Sequence, residues 1–106
     1  MNRDKNLPLT ETVYYILLVL TKPAHGYAIM QKIEELSGGE VRIAAGTLYG
    51  AIENLLQLNF IQPVMSNDPR RKVYMITERG YQVLLLDYNR MKKMIAQTEN
   101  FSRERG

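Results

Sequence analysis

The sequence contains no cysteine and no tryptophan, and it holds a single histidine. Without thiols there is no disulfide, no thiolate nucleophile and no thiolate metal ligand. One imidazole cannot make a multi-histidine metal site within one subunit, so metal sensing and thiol redox sensing are disfavoured and no cofactor is expected. The longest apolar run, Val13 to Leu20, is far short of the roughly 20 residues that span a bilayer. The opening MNRDKNLPLTET does not read as a secretory signal, since an acidic residue sits among its basic ones and no small-residue cleavage site follows. The expected location is the cytoplasm, with no membrane role. Also missing are a P-loop, a glycine-rich dinucleotide turn and a nucleophile motif. Glu34 and Glu35 are adjacent, so they cannot converge as a catalytic pair from one helix face. An enzyme is not expected.

What is present is ordinary in bulk: 106 residues, 45% hydrophobic and 24% charged, enough for one compact core with at most one protruding element. The net charge of +3 is unevenly spread, with five basic against six acidic groups in residues 1–61 and nine against five in residues 62–106. An excess of that kind suits a polyanionic partner, and a solvated basic face produces the same count.

Hydrophobic spacing divides the chain into helix, helix, turn, helix, hairpin and long helix. The first helix opens at Thr10 as N-cap, with Leu9 and Tyr14 in staple positions, is apolar nearly all round and is stopped by Pro23. A second helix is predicted from Gly26 to Ser37, with Tyr27, Met30, Ile33 and Leu36 on its apolar side and Gly38-Gly39 ending it. A third begins near Ala45 with Leu48, Ile52, Leu55 and Leu56 inward. Phe60–Met65 and Arg71–Ile76 have strand character on either side of the turn signal Ser66-Asn67-Asp68-Pro69, and Pro63 is tolerable only at a sheet edge. The last helix starts at the N-cap Thr77 and continues to about Asn100. The expected fold class is mainly α with a small β-hairpin: a winged helix-turn-helix over residues 1–80 and a C-terminal dimerisation helix over 81–106.

Three motifs at these spacings sharpen the reading. His25-Gly26-Tyr27, then Gly46-Thr47-Leu48-Tyr49-Gly50, then Arg70-Arg71-Lys72-Val73-Tyr74 leading into Ile76-Thr77-Glu78-Arg79-Gly80, closely resemble the PadR family of bacterial transcriptional regulators from about Leu9 to Leu85. The single C-terminal helix is similar to that family's short-chain branch. The resemblance implies a homodimeric repressor on a palindromic double-stranded DNA operator, released when a small-molecule effector binds. It also implies that the last helix pairs with its copy and with the first helix.

The residues support a DNA-binding site on their own terms. Ala45, Gly46 and Gly50 leave the start of the third helix without bulk, so its backbone can approach phosphates. Thr47 offers a hydroxyl and a methyl to a base edge, and Tyr49 a hydroxyl to a phosphate. That helix has no lysine or arginine, and its one charge is Glu53, which rules out bidentate guanine readout by arginine from it. Affinity is expected instead from Arg70, Arg71 and Lys72 at the base of the hairpin, although a basic edge that merely blocks strand-to-strand aggregation has the same composition. His25 is either a phosphate contact or a helix cap.

Along the last helix Tyr81, Leu84, Tyr88, Met91, Ile95 and Thr98 are spaced 3, 4, 3, 4, 3, a heptad-like stripe that reads as a dimer seam. Tyr14, Tyr15, Leu18, Tyr88, Met91 and Met94 either line an effector cavity between the first and last helices or are plain core; no ligand class follows from them. The alternative to DNA binding is a winged helix used for protein–protein contact, against which the Arg70-Arg71-Lys72 cluster argues.

Overall fold

The computed structural model describes residues 4–106, so the first three residues of the expected 1–80 unit, Arg3 of the charge count among them, lie outside the described part. The chain begins with α1 (Glu11–Val19), capped by the Thr10 hydroxyl, which accepts from the Val13 N–H at 3.1 Å. Then follow β1 (Ala24–His25), α2 (Gly26–Leu36), α3 (Ala45–Gln57), the hairpin β2 (Ile61–Val64) and β3 (Val73–Ile76), and α4 (Glu78–Arg105). Four helices with a small antiparallel sheet make the fold mainly helical.

Periodicity does not reveal β1, because two residues carry no period. These two pair with β3, Ala24 opposite Tyr74 and His25 opposite Val73, so the sheet order is β1-β3-β2. β2 is thereby an edge strand, which is what Pro63 requires. The hairpin ladder ends at Val64 opposite Val73. Arg71 and Lys72, expected inside a strand, therefore lie in the turn beyond it.

The core gathers Ile16, Leu17 and Leu20 from α1 and its end, Ile29 and Ile33 from α2, Leu48, Ile52 and Leu55 from α3, Tyr74 and Ile76 from β3, and Val83 and Leu84 from α4. On α3 the inner face is the expected one. On α2 it holds only in part: Ile33 is buried as expected, but together with Gly26 and Ile29, whereas Met30 is half-buried and Tyr27 and Leu36 are exposed. The buried face is turned toward Gly26 and Ile29, which keeps the bulky Tyr27 off the close approach that Gly26 permits.

Gly80 marks a second close approach. A Cβ there would overlap the Phe60 carbonyl oxygen and lie 2.8 Å from the Phe60 carbonyl carbon. The same carbonyl accepts from the Thr77 N–H at 2.9 Å, so the start of α4 is pinned to the end of α3. From there α4 runs past Asn100 as one continuous helix of 28 residues, about 42 Å at 1.5 Å per residue. It stretches the molecule to 57 Å along its long axis.

Candidate nucleic-acid interface

The start of α3 is open. Its N-cap, Ala44, makes no side-chain cap. Ala45, Gly46, Thr47 and Gly50 are all exposed, and a Cβ added at Gly46 or Gly50 would meet nothing within 4 Å. Backbone N–H groups in the first turn of such a helix have no intrahelical acceptor. Thr47 therefore faces outward, as its position next to buried Leu48 requires.

Tyr49 points sideways rather than straight out. Its ring lies across the start of α2, so close that a Cβ on Gly26 would stand 2.6 Å from the Tyr49 hydroxyl. It also neighbours buried Tyr74, whose hydroxyl is held above the usual tyrosine range first by burial and then by Tyr49. The ring remains half exposed, and it forms one wall of a cleft of about 660 Å³ between α2 and the hairpin base. That cleft is lined by His25, Gly26, Tyr27, Ala28, Gln31, Tyr49, Arg70, Arg71 and Lys72. One hollow thus brings together residues from all three sequence motifs.

The cleft lining holds three cations and no carboxylate. Asp68 stands behind the cluster and tempers it, its carboxylate 3.5 Å from Arg70 Nε and 3.9 Å from Arg71 Nε. The pairs are exposed, and at the surface such pairs contribute little energy, so the arginines stay available to another anion. His25 joins helix and hairpin: Nδ1 faces the Ala28 N–H at 3.3 Å, and Nε2 faces Arg71 Nη1 at 3.0 Å. The helix-cap and hairpin roles therefore meet on one ring.

The model of the transcriptional regulator PadR-like family matches residues 16–85. The chain belongs to the PadR-like family. Its fold is also that of a Clostridium thermocellum transcriptional regulator, at 21% identity with a TM-score of 0.75 over 94% of this chain and 98% of that one. A PadR-family regulator from Eggerthella lenta is 25% identical, with a TM-score of 0.68 over 84% of this chain and 79% of that one. A PadR-like transcription factor from Bacteroides fragilis is 27% identical, with a TM-score of 0.67 over 84% and 86%. An uncharacterized 37.1 kDa protein in transposon Tn4556 of Streptomyces fradiae is 32% identical over 72 residues, which are 68% of this chain. This chain spans only 20% of that protein's length. The PadR-like chain therefore carries the winged helix-turn-helix of a transcriptional regulator family.

The PadR-like chain has a second hollow, about 440 Å³, between α1 and α4, lined by Leu9, Glu11, Tyr14, Tyr15, Leu18, Asp87 and Met91. Tyr14, Tyr15, Leu18 and Met91 were expected there, whereas Tyr88 and Met94 lie outside its wall. Asp87 was not foreseen, although its spacing from Leu84 and Met91 puts it on the same helix face. It is 1% exposed. One oxygen accepts from Arg90 Nε at 2.6 Å, and the other, Oδ2, has no partner among the described residues. The Tyr14 hydroxyl is held above the usual tyrosine range, first by burial and then by the Asp87 charge, so it stays a protonated donor in this groove.

The α4 stripe divides in two. Leu84, expected at a dimer seam, is 4% exposed and belongs to the chain's own core, because the first turns of α4 lie on α1 and the sheet. Tyr81, Tyr88, Ile95 and Thr98 are exposed and Met91 is half-buried, joined by exposed Met94 and Phe101. No described helix is long and apolar enough to cross a membrane.

Proposed function

We propose that this PadR-like regulator is a cytoplasmic repressor that binds a palindromic operator as a homodimer and lets go when a small molecule occupies the groove between α1 and α4. The observation that carries the DNA contact is the convergence of Tyr49 from α3, His25 from the start of α2 and Arg70, Arg71 and Lys72 from the hairpin on one cleft without a carboxylate. Division of labour follows from chemistry. Thr47 meets base edges, the open start of α3 and the basic hairpin meet phosphates, and phosphate contacts set register without carrying sequence. With no arginine on α3, sequence preference comes from hydroxyl and methyl contacts and from DNA shape.

The dimer is supported by the exposed apolar residues of α4, which none of the described residues covers. Within the 81–106 unit, Val83 and Leu84 belong to the core of the reading head, and the pairing falls to the exposed residues of α4. Two-fold symmetry sets two α3 helices about 34 Å apart, one turn of DNA. In the α1–α4 groove the unpartnered Asp87 oxygen favours an occupant that offers a hydrogen-bond donor.

A gel-shift titration on DNA from upstream of the protein's own gene, run beside an equal length of unrelated DNA, tests the reading. Specific binding is expected, reduced for Thr47→Ala by about 1–3 kcal/mol if Thr47 reads a base. Equal affinity for both DNAs overturns the operator reading, and no binding to either favours a protein–protein role for the winged helix.

A further inference from the structure

A neutral imidazole has one N–H and one lone pair, so it accepts a single hydrogen bond in its plane. At His25 both ring nitrogens face donors: the Ala28 N–H at Nδ1 and Arg71 Nη1 at Nε2. Only one of these contacts can be a hydrogen bond at a time. The Ala28 N–H contact is the cap of α2, and the contact to Arg71 is the shorter of the two, 3.0 Å against 3.3 Å; the tautomer decides which of them is made. An acceptor entering between Nε2 and the guanidinium removes the conflict. Nε2 then carries the proton and donates to the newcomer, Arg71 donates to the same group, and Nδ1 turns its lone pair to the Ala28 N–H. The cleft lining contains no carboxylate to do this, so the acceptor comes from outside, and the neighbouring Arg70 and Lys72 select an anion.

We propose that the cleft seats one phosphodiester group of bound DNA between His25 Nε2 and the Arg71 guanidinium, and that His25 changes tautomer as the phosphate enters. This rests on the DNA-binding reading. In the free protein Nε2 accepts from Arg71, and on binding the proton leaves Nδ1 while another arrives at Nε2 by exchange with water, so the tautomer change itself alters no charge. The titratable and charged groups around the ring are Tyr27 on α2, Tyr49 on α3, and Arg70, Arg71 and Lys72 on the hairpin, with Asp68 behind them. The tautomer change makes the phosphate contact a locking event, since it completes the α2 cap and draws the hairpin onto the same anion.

The chain has one histidine, so its ring nitrogens are read without ambiguity by two-bond 1H–15N correlation. The free protein is expected to show the Nδ1–H form, and the complex with a mixed-sequence duplex at low salt the Nε2–H form. Asparagine caps helices well, so His25→Asn caps α2 with or without DNA and removes the ring donor. Its thermal midpoint should be no lower than that of wild type, while duplex affinity falls roughly ten- to a hundredfold, one hydrogen bond to a charged acceptor. Because Arg71 holds the same phosphate, the His25→Asn, Arg71→Ala double variant should lose less than the product of the two single losses. An unchanged tautomer, multiplicative losses, or an equal response to inorganic phosphate at the same phosphate concentration overturns the proposal. Wild-type protein that binds no duplex at all defeats the DNA-binding reading itself, which is a separate outcome.

Discussion

The same substitution at two glycines should have opposite consequences, because the added methyl group meets different things. In a helix, alanine is favoured over glycine by about 1 kcal/mol, so propensity alone predicts that Gly80→Ala in α4 stabilises. At Gly80, however, the new Cβ overlaps the Phe60 carbonyl oxygen and lies 2.8 Å from its carbon and 3.0 Å from Ile76 Cγ1. Phe60 is 1% exposed, and its carbonyl holds the Thr77 N–H at 2.9 Å, so the oxygen cannot withdraw without breaking the junction between α3 and α4. Overpacking of this kind costs about 1–3 kcal/mol, and the strained hydrogen bond adds about 1 kcal/mol. With propensity subtracted the net loss is about 1–3 kcal/mol, or roughly 4–24 °C in the melting midpoint of a domain this size. At Gly26 the obstacle is the end of the Tyr49 side chain, half exposed and able to swing into solvent. Gly26→Ala should therefore change stability by no more than about 1 kcal/mol, yet lower duplex affinity by removing one wall of the cleft. Circular dichroism melts and a fluorescence titration with labelled duplex read both effects. A Gly80→Ala protein that melts at or above the wild-type midpoint, or a Gly26→Ala protein with undiminished affinity, would refute the reasoning.

Three further outcomes follow from named contacts. Ile95→Glu should shift sedimentation from dimer to monomer with little change in the monomer's fold, because Ile95 is exposed, whereas Leu84→Glu should unfold the chain; a wild type that sediments as a monomer at micromolar concentration ends the dimer proposal. Arg71→Ala should weaken specific and non-specific DNA alike and lower the slope of log affinity against log salt by about one, and an unchanged slope would return the cluster to a solvated edge. Arg90→Ala leaves the buried Asp87 carboxylate without its only partner among the described residues and should cost about 3 kcal/mol, much of it recovered in the Asp87→Asn, Arg90→Ala double variant; equal melting of the single and double variants would show that the buried charge is not the cause.

The residues themselves determined the elements that rest on periodicity and caps. Thr10 and Thr77 start helices because a hydroxyl satisfies an N–H three residues on, and Leu48, Ile52 and Leu55 turn one face of α3 inward because they share a helical stripe. The order of elements and the three motifs were enough for the family. Tertiary structure decided what depends on partners distant in sequence. Two-residue β1 exists only because β3 lies beside it, and α2 buries Gly26 rather than Tyr27 because Tyr49, 23 positions later, comes to rest there. The heptad-like stripe of α4 carried no sign that Leu84 belongs to the chain's own core, since apolar spacing reports which residues share a face and not which neighbour covers it. His25 shows the same division most clearly: its place before α2 marks it as a cap, but only the folded sheet brings Arg71, 46 residues away, to its other nitrogen.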